Sequence, residues 1–318
     1  MGKKMRYLLD YQEGERVVGF CLVKSKEAGV ASNQSEYLNL ELGDRSGTIM
    51  AKLWDVNAEI KEAIQVKAVV KIDAVVQSYR GKKQLVIQRI RPASPADEVV
   101  MESLIPISPI PPEELWGKLE SVIHSLQSKT LQAILLEAIS DSEIGERLRQ
   151  YPAGVKMHHN YYHGLLEHIV SLLTAAERLL PLYPQVDRDV LYATCILHDI
   201  GKLYELSDPI APDYTTPGQL IGHLVMGVEI VTGICRKLGI PLGDAEVLHL
   251  KHCILSHHGE VENGWGSVVS GKTPTAVLFH YLDQIDSKMN AIGQTLSDMG
   301  EEEWAYANVL RRKVWRGY

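Results

Sequence analysis

Six of the fourteen prolines, Pro92, Pro95, Pro106, Pro109, Pro111 and Pro112, crowd into one short stretch of the chain. Proline lacks a backbone donor and biases the residue before it away from helix, so neither a long helix nor a central strand can run through such a stretch. The 318-residue chain is therefore divided. The segments on either side of the prolines fold on separate patterns.

Before the division, alternating or short apolar runs predict five strands: Arg16–Lys24, Tyr37–Leu42, Thr48–Trp54, Val66–Gln77 and Gln84–Ile90. Gly43-Asp44-Arg45-Ser46-Gly47 reads as a hairpin turn, and Tyr79-Arg80-Gly81-Lys82-Lys83 as the last turn. Asp55-Val56-Asn57 can cap a short helix running to about Ile64. Five strands with a short helix between the third and fourth is the order of an all-β OB-fold barrel. After the division every long segment has helical period, over roughly 113–127, 128–140, 142–150, 160–181, 187–204, 218–239, 244–257 and 273–293. The chain is thus expected to be multidomain: an OB-fold at 1–95, a proline-rich linker at 96–112, a helical connecting segment at 113–157, an all-α bundle at 158–293 and a tail at 294–318. The tail, with Trp304, Trp315 and several arginines, carries no functional reading of its own.

The net charge of −7 disfavours a generally basic nucleic-acid binder, but it hides an asymmetry. Residues 1–95 hold 16 basic against 11 acidic side chains, a balance of +5, while the remainder holds 17 against 29, a balance of −12. A basic front suits a polyanion, and an acidic remainder suits a carboxylate-bearing cation site. No run approaches the roughly 18 apolar residues of a membrane span, and the start MGKKMRYLLDYQEGE lacks a secretory apolar segment, so a cytoplasmic address is expected. The four cysteines are scattered, with no C-x-x-C pair, and read as reduced and buried.

Eleven of the twelve histidines lie between His158 and His280, in the helical part. His168 has apolar neighbours on both sides, and the apolar run Leu191–Leu197 leads directly into His198-Asp199. An imidazole or a carboxylate placed there needs a partner. A His-Asp pair can give a nitrogen to one metal and a carboxylate shared with a second, and Gly201 permits close approach. Lys202, one turn beyond His198, is a natural phosphate clamp. His223 opens one helix, His257-His258-Gly259 ends another, and Asp283 lies on the helix that Thr273-Pro274 starts. Mixed imidazole and carboxylate donors suit manganese, iron, zinc, cobalt or nickel better than calcium. Two such ions about 3.5 to 4 Å apart would activate water and stabilise an in-line phosphoryl displacement.

The order H…HD…H…HH…D around His198-Asp199-Ile200-Gly201-Lys202 resembles the HD metal-dependent phosphohydrolase superfamily. More narrowly, the runs His158-His159-Asn160, Gly164–His168, Glu205-Leu206-Ser207, Gly222-His223, Ser256–Gly259 and Asp283–Asn290 resemble the YhaM-type 3′-5′ exoribonuclease family, over nearly the whole chain. The resemblance implies an HD domain at 158–293, with metal ligation by His168, His198, Asp199, His223, His257 and Asp283. It implies two divalent ions, manganese foremost, with Asp199, Lys202 and His258 in the chemistry and Lys202, His158 and His159 against the substrate phosphate. The role of His258, as ligand, outer hydrogen-bond donor or substrate contact, stays open. The chain departs from the family's compact Gly-Ser-Pro segment between Glu260 and Lys272.

OB-folds bind single strands with aromatics and basic residues. Tyr37, Arg45, Lys52, Trp54, Tyr79, Arg80, Lys82 and Lys83 are the candidates, although Trp54 can equally be core and the Arg80–Lys83 turn merely solvated. The leading expectation is an exonuclease on single-stranded RNA, with single-stranded DNA a further substrate and a homo-oligomer the expected assembly. A second reading is an HD phosphohydrolase acting on a nucleotide, and the lack of G-Y-P after the His pair weakens its cyclic-dinucleotide form. A third is a non-catalytic RNA-binding protein with a degenerate HD domain. Six ligand types retained in order stand against it.

Overall fold

Strict alternation decides the first half of the fold. The structure is a computed structural model that describes residues 6–317 apart from 32–33, 80, 98, 101–102, 156–157, 265, 300–301 and 308–309. It divides into two units, residues 1–107 and 108–318. In the first, β1 (Arg16–Val30), β2 (Glu36–Asp44), β3 (Gly47–Trp54), β4 (Val69–Tyr79) and β5 (Lys82–Pro92) close a barrel in the order β1-β2-β3-β5-β4, with α1 (Ala58–Ala63) between β3 and β4. Every second residue of β2 and β3, among them Leu38, Leu40, Leu42, Ile49, Ala51 and Leu53, points into the barrel core. Asn57 caps α1 by accepting from the Ile60 N–H at 2.8 Å.

β1 runs six residues past its expected end at Lys24. The polar run Ser25-Lys26-Glu27 looks like a stop, yet one long strand must pair first with β4, over Arg16–Leu22, and then with β2, over Leu22–Val30. A bulge between Val23 and Ser25 lets it turn that corner. The β4 strand begins at Val69 rather than Val66, because Lys67 adopts a positive φ of 69°. The proline-rich stretch is not a free linker throughout. Leu104 and Ile105 are buried, and the Arg45 N–H donates to the Ser103 carbonyl at 3.0 Å.

The second unit holds α2 (Pro112–His124), α3 (Lys129–Ser140), α4 (Ser142–Gln150), α5 (Gly164–Leu179), α6 (Arg188–Leu197), α7 (Lys202–Glu205), α8 (Thr216–Ile221), α9 (His223–Leu238), α10 (Ala245–Ser256) and α11 (Pro274–Asp298). Ser128, Asp141, Asp187, Asp244 and Thr273 cap their helices with side-chain oxygens. Leu165, Leu172, Ile196, Ile254, Phe279 and Leu282 help build one continuous core between α5, α6, α10 and α11. The tail beyond the helical bundle is not helical. Residues after α11 form a hairpin of β6 (Trp304–Ala307) and β7 (Arg312–Trp315).

Two helices expected as continuous are broken. The 187–204 segment stops at Leu197 and resumes at Lys202, and the 218–239 segment breaks at Gly222, whose φ of 78° is reached without cost by glycine. Both breaks fall beside the histidine cluster. No helix among the described residues is long and apolar enough to cross a membrane. All four cysteines are free and buried.

Candidate metal centre

α6 delivers His198 and Asp199 from a wholly buried terminus into the space between α5, α9, α10 and α11. The tight turn beyond them depends on Gly201. A Cβ there would stand 2.1 Å from the His223 carbonyl oxygen and 2.8 Å from the Gly227 nitrogen, so the turn and the start of α9 touch backbone to backbone. Gly201→Ala is therefore expected to cost about 3 kcal/mol of folding stability through overpacking, read from denaturant unfolding.

The sequence-predicted ligands converge. His168 Nε2 lies 3.3 Å from His198 Nε2 and 3.3 Å from Asp283 Oδ1. Asp199 Oδ2 lies 3.2 Å from His198 Nε2, while its Oδ1 lies 3.5 Å from His223 Nε2 and 3.7 Å from His257 Nε2. One carboxylate thus turns an oxygen toward each half of the cluster. His258 joins the second half, with its ring centred 4.3 Å from that of His257 and 5.1 Å from that of His223. The ligand atoms of His223, His257 and His258 lie within 4.8 Å of one another, as do those of His168, His198 and Asp199.

The tautomers are fixed from behind. A carbonyl or carboxylate oxygen can only accept, so the Nδ1 atoms facing one must donate. His257 Nδ1 donates to the Ile254 carbonyl at 2.8 Å, His198 Nδ1 to the Cys195 carbonyl at 3.3 Å, His223 Nδ1 to Glu205 Oε1 at 3.1 Å and His168 Nδ1 to Asp286 Oδ2 at 2.7 Å. All four Nε2 atoms are left to face the cluster, the orientation metal-binding histidines adopt. Asp286 also accepts from His159 Nε2 at 2.9 Å and from the Ser171 hydroxyl.

The electrostatics call for a cation. Burial raises the Asp199 carboxyl, but the His198 imidazole and Lys202 ammonium more than offset it and hold it well below the usual carboxylate range. Asp283 is held down in the same way, against burial, chiefly by its hydrogen bond with His168. Burial alone would depress His168, yet Asp283 and Asp286 on either side push it up to about 9. Burial keeps His257 well below its ordinary value and takes His258 down to about 4, which leaves both as neutral donors. Asp199 Oδ1 and His223 Nε2 are buried without a hydrogen-bond partner, a costly arrangement unless a cation sits between them. Imidazole and carboxylate donors in this mixture fit a divalent transition metal.

The residues expected against the phosphate have partners of their own. Lys202 is held: its ammonium donates to Asp199 Oδ2 at 2.6 Å and to the Ala153 carbonyl at 2.7 Å, which fixes the carboxylate and leaves one of its three N–H donors. His159 has both ring nitrogens engaged, one on Asp286 and one accepting from the Tyr161 hydroxyl at 2.9 Å, and it braces the cluster from behind. His158 does reach the centre, its ring 5.2 Å from that of His168 and its Nδ1 buried without a partner. The unusual loop packs back on α10, where the Val268 N–H donates to the Leu255 carbonyl and the Lys272 N–H to His252 Nε2. The roles of Asp286 and Glu205 are not among those the sequence predicts. Asp286 comes three residues after Asp283 on α11 and so shares its face, a spacing that could have found it.

On the barrel the candidates separate into two groups. Tyr37 and Trp54 face each other across β2 and β3 with ring centres 5.3 Å apart, and Lys52 Nζ sits 3.9 Å above the first and 4.1 Å above the second. Trp54 is 43% exposed, so it is not core. Arg45 lies in the turn at the far end of that ladder, since the pairing runs from Tyr37↔Trp54 to Asp44↔Gly47. Tyr79 and Lys82 flank the β4–β5 turn, and Lys83 is tied to the Tyr11 carbonyl at 2.9 Å. Arg80 lies outside the described residues.

Two family profiles match the chain, an OB-fold nucleic acid binding domain over residues 17–93 and an HD domain over residues 165–288. Among curated proteins, the 3′-5′ exoribonuclease YhaM of Listeria innocua is 40% identical over 292 residues, covering 91% of this chain and 90% of its own length. That of Geobacillus sp. is 37% identical, covering 93% and 90%, and that of Bacillus subtilis is 37% identical, covering 92% of each.

Proposed function

The chain belongs to the YhaM family of 3′-5′ exoribonucleases, and from that premise we propose a metal-dependent exonuclease that removes nucleotides from the 3′ end of single-stranded RNA. The observation that carries this reading is Asp199, with one oxygen toward His198 and the other toward His223 and His257. His168, His198, Asp199 and Asp283 would hold one ion, and Asp199, His223, His257 and His258 a second, manganese being the proposed metal. Divalent ions in these positions would supply a nucleophile from water at neutral pH and neutralise charge developing on the phosphate.

The chain's own groups have distinct tasks in this scheme. Lys202 holds Asp199 ionised and in place. Glu205 and Asp286 keep His223 and His168 in the tautomer that presents Nε2. His158, with its buried and unpartnered Nδ1, is proposed to meet the scissile phosphate. On the barrel, Trp54 and Tyr37 offer rings for base stacking and Lys52 a charge for the adjacent phosphate. Trp54→Ala is expected to weaken binding of a single-stranded oligonucleotide about tenfold, as read by fluorescence anisotropy, with hydrolysis of a dinucleotide retained.

The test of the whole reading is product analysis on 5′-labelled RNA incubated with manganese. A ladder of fragments shortened from the 3′ end is the expected result. Intact RNA alongside hydrolysed mononucleotides would favour a small-substrate phosphohydrolase instead. Single-stranded DNA of the same sequence, run in parallel, measures the contribution of the 2′-hydroxyl.

A further inference from the structure

The C-terminal hairpin has a composition unlike the unit that carries it. In the register Trp304↔Trp315, Ala305↔Val314, Tyr306↔Lys313 and Ala307↔Arg312, opposite residues share a face and neighbours alternate. One face therefore carries Ala305, Ala307, Arg312 and Val314, with Ala307 buried, and the other carries Trp304, Tyr306, Lys313 and Trp315. The three aromatics are 51%, 56% and 45% exposed in the order Trp304, Tyr306, Trp315. The indole rings are nearly parallel, 28° apart with centres 6.2 Å from each other.

Two four-residue strands that keep three large rings about half exposed on one face present an interaction surface, because isolated exposed apolar side chains are ordinary but a contiguous aromatic face is not. The platform is anchored. Arg316 donates its backbone N–H to the Glu303 carbonyl at 3.0 Å and its guanidinium to the Met299 carbonyl at 3.1 Å, tying the hairpin to the end of α11. Its charge points to an anionic partner: Lys313 stands on the aromatic face itself. Arg311, Arg312 and Arg316 lie beside it in a six-residue run without an acid, with Arg312 on the opposite face, whereas Glu301, Glu302 and Glu303 lead into the first strand.

We propose that this aromatic and basic hairpin face is a second contact for single-stranded nucleic acid, in which bases stack on Trp304, Tyr306 and Trp315 while Lys313 meets the phosphate backbone. Rings interleaved with cations are how sequence-tolerant single-strand sites are built. The proposal rests on the nuclease reading above, and it places an RNA contact in the same unit as the metal centre, in addition to the Tyr37–Trp54 face of the barrel.

The experiment uses the full chain with manganese and a fluorescein-labelled 20-nucleotide RNA whose 3′-terminal linkages are phosphorothioates. Trp304→Ala combined with Trp315→Ala is expected to weaken binding about 10- to 100-fold. Lys313→Glu is expected to weaken it and to lower the slope of log affinity against log salt by about 0.7. Trp304→Phe with Trp315→Phe retains stacking rings and should stay close to wild type, which separates loss of the platform from loss of the hairpin fold. If the alanine and Lys313→Glu variants bind as wild type does, the proposal is overturned while the nuclease reading stands. A wild-type chain that neither binds this RNA nor shortens an unmodified one would sink that reading first. Should light scattering show that the variants change the assembly mass with RNA affinity unaltered, the face is a contact between copies and the proposal fails.

Discussion

Asp199→Asn is expected to reduce RNA hydrolysis by about 10³-fold or more, with the fold retained. Among the described residues, Asp199 is the side chain that turns an oxygen toward each half of the cluster. Its Oδ2 lies beside His198 and accepts from Lys202, while its Oδ1 looks toward His223 and His257 without a hydrogen bond of its own. An amide keeps the shape but removes the charge and turns a donor toward one of these groups. Asp199→Ala is expected to be inactive and less stable as well, because it strands the Lys202 ammonium in a site where only 12% of that side chain meets solvent. An uncompensated buried charge of this kind costs about 3 kcal/mol or more. His198→Ala should match the activity loss. Initial rates on 5′-labelled RNA and thermal unfolding separate the two effects, and RNA affinity measured at the barrel should change little.

The second large effect is expected at a residue that touches no substrate. Asp286→Asn should lower manganese affinity about 10- to 100-fold, the usual consequence of removing the carboxylate behind a ligating histidine. The Asp286 carboxylate accepts from His168, His159 and Ser171 together. An asparagine has one acceptor oxygen and must point an amide N–H at one of those donors. The loss should fall on the half built from His168 and Asp283, because the Nδ1 atoms of His223 and His257 are held by Glu205 and by the Ile254 carbonyl instead. Isothermal titration with manganese should therefore show one weakened site and one near-normal site. Equal weakening of both, or none, would contradict this division.

Much of the molecule is legible in its residues because the patterns are local. The five barrel strands arise from alternation, and α1 and α11 begin where Asn57 and Thr273 place their caps. The place of the cluster is legible because a charged pair at the end of the apolar run Leu191–Leu197 needs a partner, and its other members are found through the resemblance of the H…HD…H…HH…D order to the HD superfamily. What escapes is tertiary. Ile200 and Leu203 continue the apolar period of α6, so nothing local announces that the chain must turn at His198–Gly201 to meet the backbone of α9. The partners of Lys202 and His159 are not legible, because residue type does not show that a lysine also secures Asp199, or that a histidine is clasped by Asp286 and Tyr161. The hairpin escapes for a different reason. Trp304-Ala-Tyr-Ala alternates large and small residues but Arg312-Lys-Val-Trp does not alternate, and each is only four residues long and comes after a long helix.

Crystals grown with manganese, measured at the metal's absorption edge, test the central claim most directly. The account predicts two anomalous peaks flanking the Asp199 carboxylate, one within coordination distance of His168, His198 and Asp283 and the other of His223, His257 and His258. A single peak that touches neither Asp199 nor His198, or no peak at all, would contradict it.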